Sequence, residues 1–178
     1  MKSSTKRALA PLAVAGALVL TGIPPASAQD LSFDFPVDSE FAACPDFTLR
    51  LDIDLAGREP VPSPGQSHHG RTITAGKGDR LTFTNLQTEK SVTVPTGGSV
   101  QRTIDNGDGS QTIKGTGFNT LIMFATDDPA GPSTTVYNGF IEYNVIPTAD
   151  PTDDPNFATI KLVSHRGKAR DICAELAS

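Results

Sequence analysis

The chain holds two cysteines, Cys44 and Cys173, and three histidines, His68, His69 and His165. These, with its aspartates, are the side chains from which chemistry could be built. The cysteines are far apart in the sequence and no C-x-x-C arrangement is present to depress a thiol pKa, so redox catalysis is not indicated. An even cysteine count in an exported chain reads instead as a structural disulfide. Pairing Cys44 with Cys173 would tie the two ends of a domain together.

Hydrolytic chemistry finds no anchor. A serine nucleophile on a strained elbow needs Gly-x-Ser-x-Gly, which is absent. Gly97-Gly98-Ser99 lacks the second flank and reads as a hairpin turn. His68 and His69 are adjacent, which suits neither the His-x3-His spacing of zinc sites nor ligands from separate elements, and they read as part of a solvated loop. His165, next to Arg166 after a strand, reads as a surface residue. Carboxylate pairs for glycoside cleavage cannot be selected among so many aspartates.

Calcium is a sharper question, because hard oxygen ligands cluster in Asp105-Asn106-Gly107-Asp108-Gly109-Ser110, in Asp127-Asp128-Pro129 and around Asp150 and Asp153-Asp154-Pro155. The first stretch fails the EF-hand pattern: Gly107 stands where a ligand is needed and Ser110 where the glycine belongs. It reads as a hairpin turn. The Asp-Asp-Pro stretches read as turn entries in which aspartate caps backbone N–H groups. A weak calcium site at these turns stays an open alternative, and no metal-ligating residue is assigned.

Gly115-Thr116-Gly117-Phe118-Asn119-Thr120 lacks the third glycine of a dinucleotide loop, and no Walker sequence exists, so no cofactor is expected. Glu59 to Gly65, with prolines at alternate positions, reads as an extended exposed loop. It does not fit P-x-x-P.

The elements that must position these residues begin with an export signal. Lys2, Lys6 and Arg7 precede an apolar run from Ala8 to Ile23, and Pro24-Pro25 and Ala26-Ser27-Ala28 supply a helix break and small residues for a peptidase. The run is shorter than the ~20 residues a membrane span requires. Residues 1–28 are therefore expected to be removed, leaving 29–178 as a single secreted domain with no membrane span. Removal takes three basic residues and no acid, so a net charge of −5 becomes twelve basic against twenty acidic residues, or −8. That balance argues against nucleic acid or anionic lipid as a partner, since both need a basic face.

Within the mature region the periodicity is mostly two. Phe47 to Leu55 alternates apolar and polar residues, the signature of a half-buried strand. Further strands are expected at Arg71 to Ala75, Arg80 to Leu86, Ser91 to Val94, Val100 to Ile104, Gln111 to Lys114, Thr120 to Ala125, Val136 to Ile146 and Ala158 to Ser164. Turn residues separate them at 76–79, 95–98, 106–109 and at Gly115-Thr116-Gly117. Many short strands predict an all-β fold, an antiparallel β-sandwich of Ig-like or jelly-roll-like type, with a barrel as the alternative. Ala169, Ile172, Cys173 and Leu176 fall on one face of a short C-terminal helix.

The export signal together with four stretches, Ala43-Cys44-Pro45-Asp46-Phe47, Thr84 to Val92, Gly115-x-Gly117-x-Asn119 and Asp171-Ile172-Cys173-Ala174, resembles a group of small secreted proteins of actinobacteria. The resemblance implies secretion and supplies no activity or site residue. The residues themselves favour a non-enzymatic, monomeric, secreted or wall-associated protein that binds an extracellular or cell-wall macromolecule or serves structurally. The alternative is a secreted hydrolase of unrecognised type, with carboxylates and histidines assembled in space.

Overall fold

The computed structural model describes residues 31–55, 66–68, 71–76, 78–95, 97–147 and 158–178. The expected signal, the Glu59 to Gly65 loop, His69 and the turn at Asp150, Asp153 and Asp154 lie outside the described residues. In chain order the strands are β1 (Leu31–Phe35), β2 (Leu49–Asp54), β3 (Gln66–His68), β4 (Arg71–Gly76), β5 (Arg80–Asn85), β6 (Ser91–Pro95), β7 (Ser99–Asp105), β8 (Gln111–Met123), β9 (Ser133–Pro147) and β10 (Ala158–Asp171), followed by helix α1 (Ile172–Ala177). They form an antiparallel β-sandwich: a four-stranded sheet in the order β1-β2-β5-β6 and a six-stranded sheet in the order β10-β9-β8-β7-β4-β3.

The four-stranded sheet follows directly from alternation. Leu49 and Leu51 of β2 point inward with Phe83 of β5 and Val94 of β6, and Phe83 and Leu49 are fully buried. Each such side chain contributes about 1.5–3 kcal/mol on leaving water. The opposite face is polar and paired across strands: Arg50 donates two hydrogen bonds to Asp34 at 2.7 and 2.8 Å, Ser32 donates to Asp52 at 2.7 Å, and Thr82 meets Thr93 at 3.1 Å. β1 was not anticipated, although Leu31, Phe33 and Phe35 alternate; five residues are a short stretch in which to read a period of two.

The six-stranded sheet departs from the expected segments in an instructive way. Gly115-Thr116-Gly117 is not a turn: it lies inside β8, which runs unbroken for 13 residues. The reason is register. Gly117 pairs with Gly139 and Gly139 with Gly167, so three neighbouring strands place a glycine on one line, with φ of +89°, +142° and +112°. A Cβ at Gly117 would collide with the Gly98 carbonyl, one at Gly139 with the Arg166 carbonyl and one at Gly167 with the Asn138 carbonyl. Only glycine tolerates both the backbone conformation and the approach, and along this line the long strands bend without losing their pairing.

The bend is large. Met123 pairs with Ser133 and Ile160 with Val145, twelve residues away along β9. In a flat sheet that separation is about 40 Å. Yet the amides of Phe124 and Ile160 donate to the two oxygens of one carboxylate, that of Asp127, each at 2.6 Å. The sheet is folded back on itself. Its inner surface encloses a second core of Leu121, Met123, Tyr137 and Ile141, with Tyr143, Ile160 and Leu162 against them.

Three further expectations are corrected. Gly97-Gly98-Ser99 is not a hairpin turn, because β6 and β7 belong to different sheets and the segment crosses between them. Ala169 belongs to β10 rather than to the helix, and His165 and Arg166 also lie within that strand instead of after it. β10 forms one edge of its sheet, and its exposed part carries Arg166 and Lys168 and has a register shift between Leu162 and Ser164. Charge and irregularity of this kind keep an open strand edge from pairing with other chains.

Candidate functional site

The disulfide joins Cys44 to Cys173 with their Cα atoms 5.5 Å apart, as expected. Cys44 is fully buried, and Cys173 shares the inner face of α1 with Ile172 and Leu176. The helix starts where the Asp171 carboxylate accepts from the Ala174 amide at 3.0 Å. It ends where the Lys90 ammonium donates to the carbonyls of Glu175 and Ser178, both at 2.6 Å, a cation on the negative end of the helix dipole. Asn85 turns the β5–β6 hairpin by accepting from the amides of Gln87 and Thr88, and its amide group donates to the Leu176 carbonyl at 3.3 Å. The Thr134 hydroxyl, wholly buried, donates to the Ala43 carbonyl at 2.9 Å. Three of the four stretches that carry the resemblance thus meet at one knot around the disulfide, and their work is structural. Arg170 donates two hydrogen bonds to Glu175, at 2.6 and 2.7 Å, and holds that carboxyl below its usual range.

Among the described residues, those that could do chemistry are not gathered at one place. His68 belongs to β3, paired with Arg71 of β4, rather than to a loop. β3 and β10 are the two edge strands of the six-stranded sheet, so His68 and His165 start from opposite edges. The ring of His165 rests on that of Tyr137, centroids 5.1 Å apart. In the β7–β8 hairpin the Asp108 carboxylate accepts from the Ser110 hydroxyl at 2.6 Å and from its amide at 2.9 Å. Those two bonds, the hydroxyl first, lower its pKa. Asp105 accepts from Gln111 at 2.9 Å. The expected hairpin turn is formed, with its carboxylates engaged by its own backbone and side chains. Among the described residues no group of three or more His, Cys, Asp or Glu is placed to hold a metal ion. Asp127 caps amides as an aspartate before Asp-Pro was expected to, although one of its two donors comes from β10, far away in sequence.

A concave feature between the sheets was not anticipated. A groove of about 490 Å³, within the usual size of ligand sites, is bordered by residues of both sheets. Half-buried Ile53, Leu81 and Phe118 supply its apolar surface, while Asp79 and the amides of Gln101 and Asn119 supply polar atoms. Gln101 donates to Asn119 at 3.4 Å, and Asn119 donates to the Gly117 carbonyl at the same distance. Both bonds are longer than the usual N–H···O range and correspondingly weak. The Gly98–Ser99 crossing borders the groove, so this stretch shapes a cleft rather than a hairpin turn. Four separate stretches of the chain contribute, and no local spacing in the sequence could announce such a site. A smaller pocket of about 210 Å³ lies beside the disulfide, between Phe47, Pro132 and Ala174.

No family model, curated protein or solved structure matches the chain. No described helix is long and apolar enough to cross a membrane.

Proposed function

We propose that the mature chain is a secreted or cell-wall-associated, non-enzymatic binding protein, acting as a monomer, whose intersheet groove takes a neutral extracellular or wall macromolecule. The observation that carries this reading is the groove itself, which sets amide donors and acceptors beside apolar surface contributed by both sheets. Such a surface recognises a chain with both hydrogen-bonding groups and apolar faces. The expected charge of −8 disfavours a polyanion. Export fits the disulfide, which forms and persists in oxidising surroundings.

The test is retention of partners by immobilised residues 29–178 from culture medium and from cell-wall extract, compared with a Gln101→Ala variant of unchanged circular dichroism. One partner held by the wild-type chain and released at least several-fold by the variant supports the reading. Equal retention by both removes the groove from it, and no retention by the wild-type chain overturns binding altogether.

A further inference from the structure

The folded six-stranded sheet has two halves that meet around the second core, and a strap joins them. Residues 124–132 join the end of β8 to the start of β9 and on the way lie against the first residues of β10. There the Asp127 carboxylate accepts from Phe124 and Ile160 at 2.6 Å each, the Asp128 amide donates to the Ile160 carbonyl at 2.9 Å, and the Leu162 amide donates to the Asp128 carbonyl at 2.7 Å. Asp128 thereby forms a bridge with Lys161, whose ammonium lies 3.2 Å from its carboxylate. We infer that this strap is a latch, and that its Asp127 carboxylate holds closed a half-sheet able to open as a unit while the disulfide-stapled core stays folded.

Three observations carry this. The two cores are separate clusters, one around the disulfide and one around Tyr137 and Ile141. The ties are distributed unequally: the disulfide, the Lys90 contacts and the Asn85 and Thr134 hydrogen bonds all secure the first core, whereas the strap crosses the mouth of the second. The fold line provides the hinge, because glycines at 117, 139 and 167 lie in register on three adjacent strands. A buried carboxylate accepting two short bonds from amides that a flat sheet would keep far apart is the smallest element whose loss releases the closure. Regions that open below the global unfolding energy are those held by few ties of this sort. Opening exposes the phenolic and aliphatic surface of Tyr137, Ile141 and Tyr143.

The test is amide hydrogen exchange on the mature chain and its Asp127→Ala and Asp127→Asn variants. In Asp127→Ala, exchange at Ile160 and Leu162 should accelerate at least tenfold, while the amides of Leu49, Leu51 and Phe83 change less than twofold. Asp127→Asn keeps one acceptor and turns an NH₂ group toward an amide donor, so it should fall nearer to alanine than to the wild-type chain. The same factor at every amide, or no change at Ile160 and Leu162, overturns the latch. Should the variants fail to fold, exchange of the unaltered chain in sub-denaturing urea decides: Ile160 and Leu162 should open at lower free energy than Phe83. A single shared opening energy overturns the inference.

Discussion

Replacing Cys44 and Cys173 together by alanine removes the cross-link and leaves the rest of the knot in place. In the chain-entropy model the stabilisation grows with the logarithm of the loop closed, and for a sequence separation of 129 residues it comes to about 5 kcal/mol at 25 °C. The geometry favours a large share of this being realised. Cys44 is fully buried and Cys173 nearly so, and the helix that carries Cys173 is only six residues long, too short to persist without tertiary anchorage. Against a typical domain stability of roughly 5–15 kcal/mol, the double variant should be marginal. At about 2–4 °C per kcal/mol for a domain of this size, its melting temperature should fall by roughly 10–20 °C. Urea denaturation followed by circular dichroism is the suitable assay, since the chain has no tryptophan. Thiol labelling of the unfolded, unreduced wild-type chain should find no free cysteine. A loss below about 1 kcal/mol would refute the reasoning, because it would mean that the Lys90, Asn85 and Thr134 contacts alone hold the two ends together.

Two further outcomes follow from the folded sheet. Gly139→Ala places a β-carbon against the Arg166 carbonyl at a φ of +142°; it should destabilise by at least about 2 kcal/mol in thermal unfolding, and wild-type stability would mean that the fold line is not built on glycine. Burial raises the pKa of Tyr143 and of Tyr137 above the ordinary value of 10.0. The unfolded phenol then ionises first as pH rises, so the unfolded state binds fewer protons and stability falls above pH 10. Tyr143→Phe should make that alkaline fall shallower in denaturation curves, and an unchanged slope would show that the phenol is solvated in the folded protein.

Much of the local structure was legible. Leu49, Leu51 and Ile53 alternate with Arg50, Asp52 and Asp54, and the strand they announce is β2, with a buried face and a wet one. Asn106 to Gly109 announced a hairpin, and Ile172, Cys173 and Leu176 announced the buried stripe of a terminal helix. The largest departure came from glycine. Gly115 and Gly117 look like turn residues because a positive φ usually ends a strand, but with Gly139 and Gly167 in register the strand continues through the bend. Register is a relation between distant segments, and a local window does not contain it.

From the sequence alone came the β class, the terminal helix, the pairing of Cys44 with Cys173 and the expectation of export. Each depends on residue type, short-range periodicity or the count of a reactive group. Only the tertiary structure decided that the six-stranded sheet folds over a second core, that Asp127 joins its halves, and that Phe118, Gln101 and Asn119 border a groove with Ile53, Leu81 and Asp79. Those arrangements arise from long-range pairing between strands, where contact is set by which registers close without collision and which buried polar groups find partners.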